Sequence, residues 1–398
     1  MLRNIPSTTR HHHPNVQPPS PPVFLPDDLI IEVLSFLTVK LLMRFRCVCK
    51  SWNTLVSNPK FIKIHQKKSE WNKNLVLIEK DFSSNICKRL MVNYLPVSRL
   101  VMGNSSITLT NDHILYEKDG FSIVGSCNGL VCLLGYSPLE RWLYFYNPAT
   151  RTLSKRLGTF TDKYGYMFAF GYDALTNTYK VVNFCERSRN ARIFSLGDNI
   201  WRSVPSFPDA RIYRDPFMSS CYTYVYFNGT INWLVIRKDI TSPLHNYTLE
   251  NFVIISLDLG TETYTQLLPP RGSGEKLLVE PTICVFMDCL CTCLSHAEGY
   301  KGDQFVIWKM LKFGVDESWS QFLKICYQTL QRNCFNCSLL PLCLSDSGDT
   351  LILGVPRTGQ KILYNCRTNM VVQTAFTVGK NWFYFNHYVE SMVSTNGK

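Results

Sequence analysis

The stretch from Val23 to Val56 constrains this chain most, because 21 of its 34 positions are apolar. Its pattern is helical: Leu29, Ile30, Val33, Leu34 and Leu37 recur at the spacing of one helix face. Pro26 suits the first position of a helix, where a missing N–H costs nothing, and Asp27 and Asp28 favour the positive helix start. Thr38 interrupts. A second helix is expected to carry Leu41, Leu42 and Phe45, and a third to begin near Ser51 with Trp52, Leu55 and Val56. Asn58-Pro59 breaks the chain, after which Phe61 and Ile64 suggest one or two further amphipathic turns. A unit this small does not bury so much apolar surface by itself. Helices that are apolar nearly all round are normally covered by something else, so the expectation is a docking module with a protein partner.

From about Trp71 the texture changes. Short β-branched and aromatic runs alternate with clusters of Asn, Asp, Gly, Pro and Thr, the pattern of many antiparallel strands. Five units repeat a double hairpin. They are SCNGLVCLL with LYFYNPATRTL, FAFGYDALTNTYKVVNF with ARIFSLGDNIWRSV, and VYFNGTINWLV with VIISLDLGTETYTQL. FMDCLCTCL with VIWKMLKFGVDESWSQF and SDSGDTLILGV with KILYNCRTNMVV complete them. Their second turns fall near Asn147, Gly197, Leu259, Gly314 and Cys366, about 50 to 60 residues apart, a period that suggests propeller blades. Asn-Gly at 128–129 and 228–229 predicts tight primed turns. The fold class expected is therefore α+β multidomain: a small N-terminal helical module, then an all-β propeller-like domain of about six blades. LVLIEK near residue 75 and the tail around Trp382 to Tyr388 are expected to help close the ring. The domain limits expected are an unpacked Pro- and His-rich tail over 1–22, the helical module over 23–68 and the β domain over 69–395.

Charge and cysteine narrow the function. The chain carries 42 basic and 30 acidic side chains, a net +12. Residues 40 to 73 alone hold Lys40, Arg44, Arg46, Lys50, Lys60, Lys63, Lys67, Lys68 and Lys73 against Glu70. Such a patch suits an acidic protein or a nucleic acid, or is a solvated helix face. Sixteen cysteines are too few for a disulfide scaffold in 398 residues. The first 22 residues have no apolar core of a signal peptide, and the apolar run from Ile283 to Leu294 is too short to span a membrane. Reduced thiols and a cytoplasmic or nuclear location are expected.

Catalytic and metal motifs were sought in the sequence. Cys334-x-x-Cys337 lacks a second pair, and Cys289, Cys291 and Cys293 alternate along one strand face, where cysteine acts as a small hydrophobe. Neither a P-loop, a dinucleotide fingerprint nor a nucleophile elbow is present, and the histidines at 113, 245, 296 and 387 stand in no obvious arrangement with Ser or Cys. The expectation is a non-catalytic protein without metal or cofactor.

At this point the residues resemble a known family. Leu25-Pro26, the acidic pair, Glu32-Val33-Leu34, Val39-Lys40 and Arg44-Phe45-Arg46-Cys47-Val48-Cys49-Lys50-Ser51-Trp52 resemble the F-box as plants write it, except that Thr38 stands where Pro is usual and Leu41 where Ser is frequent. GSCNGLVCL, YNPATR, FGYDALTNTYKVV, FSLGDNIWRSV, FNGTINWL, ISLDLGTETYTQL and YVESMV resemble the F-box-associated domain of plant F-box proteins. That domain is related in style to kelch propellers, although no double-glycine kelch signature is seen here.

The resemblance implies a substrate-recognition subunit of a Skp-cullin-F-box ubiquitin ligase. It would dock a Skp-type adaptor, and through it a cullin scaffold, and present an unknown target protein. The implied adaptor contacts are Leu25, Pro26, Leu29, Ile30, Val33, Leu34, Leu37, Val39, Leu42, Phe45, Val48, Cys49 and Trp52. For Leu34, Phe45 and Trp52 the sequence does not separate core from interface. The target is expected on loops joining the blades, at 209–220, 237–246, 296–303 and 327–336, where Arg211, Tyr213, Arg214 and Phe217 combine arginine with aromatic character. The alternative is a nucleic-acid-binding protein using the basic helical segment. Against it, Arg44 and Arg46 interleave with apolar residues that need protein cover, and no recognised nucleic-acid signature is present.

Overall fold

A computed structural model describes residues 25–396 except 70–73, 81–88, 97–112, 118–119, 162–165, 186, 213–223, 238–246, 272–275, 298–302, 331–338, 346, 356–359 and 374–381. The chain begins with four helices: α1 (Asp27–Leu34), α2 (Val39–Phe45), α3 (Lys50–Val56) and α4 (Pro59–Ser69). The expected turn or two after Pro59 is a helix of 11 residues, because Phe61 and His65 fall one turn apart and both are buried. Pro26 caps α1 from outside rather than opening it. Cys49 caps α3, its sulfur accepting the Trp52 N–H at 3.4 Å. Leu34, Leu42, Val56 and Phe61 form the module's small core, with Phe45 packed edge-on to Trp52 at 5.1 Å beside it.

Six antiparallel sheets follow among the described residues. Their first strands are Trp382–Tyr388, Phe121–Cys127, Tyr166–Asp173, Tyr224–Phe227, Thr282–Phe286 and Leu340–Leu344. Each of the first five touches the next in this order, so these strands line the axis of the propeller. The blades are numbered I to VI in that order. Blade I is shared by both ends of the chain: Trp382–Tyr388 pairs antiparallel with Asn74–Lys80, with Asn74 opposite Tyr388. This is the ring closure expected from LVLIEK and the C-terminal tail.

Alternation along each strand splits its side chains between two neighbouring blades. Val181 packs with Phe145 of blade II, whereas the adjacent Val182 packs with Trp233 of blade IV. Blade strands are thus apolar on both faces, which is why they read as nearly continuous hydrophobic runs. The turns between first and second strands are tight. Asn128-Gly129 and Asn228-Gly229 have φ of 44° and 84°, and 48° and 78°. Blade V makes the same turn with Met287-Asp288 at 51° and 54°; Asp288 tolerates the left-handed region, whereas Met287 is unusual there.

Turns between third and fourth strands also repeat. Asn147, Asp258 and Asn365 each accept two backbone N–H groups from the turn that follows. Arg151, Asn199, Glu262, Gly314 and Asn369 occupy the left-handed region in the corresponding places. Both sets of turns lie at one end of the ring, here the lower face.

Candidate interaction surfaces

The helical module meets the propeller at that lower face. The innermost strand of blade I ends at Tyr388, and the chain continues beneath blade II. Asn147 Nδ2 donates to the carbonyls of Ser391 and Val393 at 2.8 and 2.9 Å, and the Ala149 N–H donates to Tyr388 Oη at 3.1 Å. Gly129 has no room for a side chain, since a Cβ there would lie 2.3 Å from that of Ser391. The same segment then reaches the helices: Glu390 Oε2 accepts the Val39 N–H at 3.0 Å, and Met392 packs against the module's core.

Leu25, Leu29, Val33 and Phe36, on α1 and its two flanks, are 59%, 51%, 62% and 63% exposed. Pro26, Leu41, Val48 and Cys49 are exposed as well. Ile30, Leu37, Phe45 and Trp52 are half-buried and pack on the core. Leu34, Val39 and Leu42, expected above as partner contacts, are fully buried. Leu34 and Leu42 pack in the module's own core, beside Met392 of the C-terminal segment. Phe36 and Leu41 were not among the expected contacts. Helical spacing marks Phe36, since it stands three residues beyond Val33 and seven beyond Leu29. Lys40, Arg44, Lys50, Lys60, Lys63 and Lys67 are exposed around these residues, while Lys68 reaches Glu32 and lies 4.0 Å above the Phe36 ring.

At the opposite end, the upper face, the flanking strands of all four expected target loops terminate. Arg211 is exposed there, in the two-residue strand Ala210–Arg211. Tyr213, Arg214 and Phe217 lie outside the described residues, as do Cys334 and Cys337. Cys291 and Cys293 are buried, with Cys284 Sγ 3.8 Å from Cys293 Sγ. Contact with Cys284 and burial push the Cys291 thiol far up, and both Cys291 and Cys293 pack in the core cluster with Phe286 and Phe305. Among the described residues no group of three or more His, Cys, Asp or Glu is arranged to hold a metal ion. No described helix is long and apolar enough to cross a membrane.

Four helices strapped beneath a β-propeller define the class by fold. The comparisons with known proteins say which. A model of the F-box domain matches residues 24–64, and a model of the F-box associated beta propeller domain matches residues 81–395. The chain belongs to the family of F-box proteins with an F-box-associated β-propeller.

The F-box/kelch-repeat protein At3g23880 of Arabidopsis thaliana is 30% identical over 313 residues, 76% of this chain and 79% of that protein. The putative F-box protein At1g33530 and the F-box protein At2g07140, from the same plant, are 27% and 30% identical over 75% and 62% of this chain. The chain spans 62% of the length of each of those two relatives. Among solved structures, TolB from Acinetobacter baumannii aligns with a TM-score of 0.42 at 10% identity over 82% of this chain and 73% of that one.

Proposed function

We propose that this protein is the target-recognition subunit of a Skp-cullin-F-box ubiquitin ligase. Its exposed stripe of Leu25, Leu29, Val33 and Phe36 takes a Skp-type adaptor, which links it to a cullin scaffold. The upper face of the propeller takes the protein to be ubiquitinated. The subunit acts by position: it raises the target's effective concentration beside the transfer machinery and contributes no acid, base or nucleophile.

The observation that carries this reading is the stripe itself. Four large apolar side chains more than half exposed in one row are costly in water and cheap under a partner. The surrounding basic residues favour an acidic partner surface and speed the encounter.

Co-expression of the intact chain with a Skp-type adaptor tests the proposal. The pair is expected to co-purify, and Leu29→Glu with Val33→Glu is expected to abolish co-purification while the propeller remains folded by circular dichroism. Recovery of the chain without adaptor, or equal recovery with the double variant, overturns it.

A further inference from the structure

One exposed side chain of the helical module is held from the side. Phe36, in the turn that follows α1, is 63% exposed, and it is the one aromatic ring in that state among the described residues of the module. The turn beneath it is tight. The Phe36 N–H donates to the Val33 carbonyl at 3.3 Å, the Leu37 N–H to the Leu34 carbonyl at 3.1 Å, and the Ser35 hydroxyl to the Glu32 carbonyl at 2.7 Å. Lys68 of α4 reaches across to this turn. Its Nζ lies 4.0 Å from the centre of the Phe36 ring and also pairs with the carboxylate of Glu32, one helical turn before Phe36.

Lys68 differs from the other lysines of its helix. Lys60, Lys63 and Lys67 are exposed, whereas the Lys68 side chain is 22% exposed. Its helix is fixed beside the end of α1, because Phe61 is buried in the module's core and His65 Nε2 lies 2.8 Å from the Leu37 carbonyl. An ion pair between partly exposed groups contributes little to stability, so its consequence is where it leaves the ring. An ammonium is attracted to the face of an aromatic ring. Lys68 therefore favours one orientation of Phe36, and the rest of the ring's surface stays in solvent.

We propose that Lys68 and Glu32 are positioning residues for adaptor docking: the ammonium, steadied by the carboxylate, holds the Phe36 ring ready to enter an apolar pocket of the adaptor. The inference rests on the reading of the exposed side chains of α1 and its flanks as the adaptor contact. It adds Phe36 as an aromatic anchor and the ion pair as the device that presents it. Aromatic side chains are enriched in interfaces, where they cover a large area with few rotatable bonds. A ring free to turn in solvent loses that freedom on binding; one already oriented loses less. The ion pair also separates this role from a direct charge contact, because Glu32 competes for Lys68 with any acid on the adaptor.

The test uses the full-length chain in complex with a fluorescein-labelled Skp-type adaptor. Excess unlabelled adaptor is added, and the fall in anisotropy gives the dissociation rate. Phe36→Ala is expected to raise that rate about tenfold or more. Lys68→Met and Glu32→Gln are each expected to raise it about two- to fivefold, and Lys68→Arg, which keeps a cation for both the ring and Glu32, restores the parent rate. In the Phe36→Ala background Lys68→Met is expected to add nothing further. A merely structural role for Lys68 would persist in that background, and its persistence overturns the inference. Slower dissociation of Glu32→Gln also overturns it, since Lys68 would then touch the adaptor directly, as does a parent rate in Phe36→Ala. Failure of these variants in a complex that forms normally removes this inference alone, whereas failure of the parent to form the complex removes the ligase reading.

Discussion

The helical module and the propeller are both rich in apolar residues and use them to opposite ends. In the propeller, strands send alternate side chains into two blade interfaces, so residues as large as Trp142, Trp233 and Phe305 are sealed by neighbours from the same chain. In the module, four short helices enclose only Leu34, Val39, Leu42, Val56 and Phe61, and Leu25, Leu29, Val33 and Phe36 remain in solvent. A ring of blades covers its own interfaces all round. A bundle of four short helices has too little interior to do so. Burial in the first case is stability; exposure in the second is the surface on which the proposed adaptor docking rests.

The sharpest contrast comes from truncating one residue of each kind. Trp233 is fully buried between Phe184 and Phe207, so Trp233→Ala is expected to cost about 3–5 kcal/mol. Val33→Ala removes an exposed side chain and is expected to change stability by less than about 0.5 kcal/mol, while weakening adaptor binding. Urea unfolding of both variants checks this. A similar loss of stability in the two would break the distinction between sealed and open apolar surface.

The propeller also seals charge. Lys180, only 3% exposed, contacts Asp173 at 2.8 Å, Glu262 at 3.1 Å and the Leu259 carbonyl at 2.6 Å, joining blade III to blade IV. Arg202 pairs with Glu262 from the rim. Burial by itself raises both carboxyls, but hydrogen bonds from Lys180 to Asp173, and from Arg202 and Lys180 to Glu262, bring them below the usual carboxylate range. Lys180→Ala leaves two carboxylates without their buried cation and is expected to cost about 3 kcal/mol or more. Carboxyls lowered on folding stabilise above about pH 4, and that contribution is lost as pH falls through the lowered values. The variant is therefore expected to lose less further stability than the parent below pH 4. Parallel pH profiles would show that this network does not govern acid sensitivity.

A third prediction concerns the junction. Met392→Ala removes the C-terminal segment's contact with the helical core, and Asn147→Ala removes two hydrogen bonds that hold the segment under blade II. Each is expected to cost about 2 kcal/mol. The chain truncated after Tyr388 is expected to melt in two calorimetric steps, with the module first. A single transition at the parent's temperature would mean that the segment does not couple the two regions.

Much of this architecture is legible in the sequence because its signals are local. Asn-Gly turns, apolar runs and the 50-to-60-residue spacing locate the blades; LVLIEK and the C-terminal tail locate the closure. The Met287-Asp288 turn is legible more faintly, from Asp288 within FMDCLCTCL, because Met287 has no preference for the left-handed region it occupies. The docking stripe is half legible. Helical spacing gathers Leu25, Leu29 and Val33, but it does not tell that Val39 and Leu42 are covered, because the covering atoms come partly from Glu390 and Met392, some 350 residues away. The pairing of Ala210 and Arg211 with Arg237 and Ile236 is likewise not legible, because the sequence there shows only an irregular loop.

The smallest expected effect separates the two regions by pH. His65 is buried in the module, its Nε2 at 2.8 Å from the Leu37 carbonyl and its Nδ1 at 3.3 Å from Ser69 Oγ. Burial lowers its pKa, against the opposite pull of that carbonyl and of the Glu390 carboxylate. A histidine lowered on folding binds fewer protons in the native state. Its module therefore loses stability as pH falls below about 6.5 and through the lowered value, and loses no more below it. The fall is read as a lower melting midpoint for the helices at pH 5 than at pH 7.5. His65→Gln keeps a donor for Leu37 and is expected to flatten the profile. Glu390→Gln removes the pull that favours the charged ring and is expected to steepen it. The propeller's ion network responds only near pH 4 and below, so between pH 5 and 7.5 the helices alone should weaken. If His65→Gln keeps the parent's slope there, the sensitivity lies in another group, and the module no longer differs from the propeller on this ground.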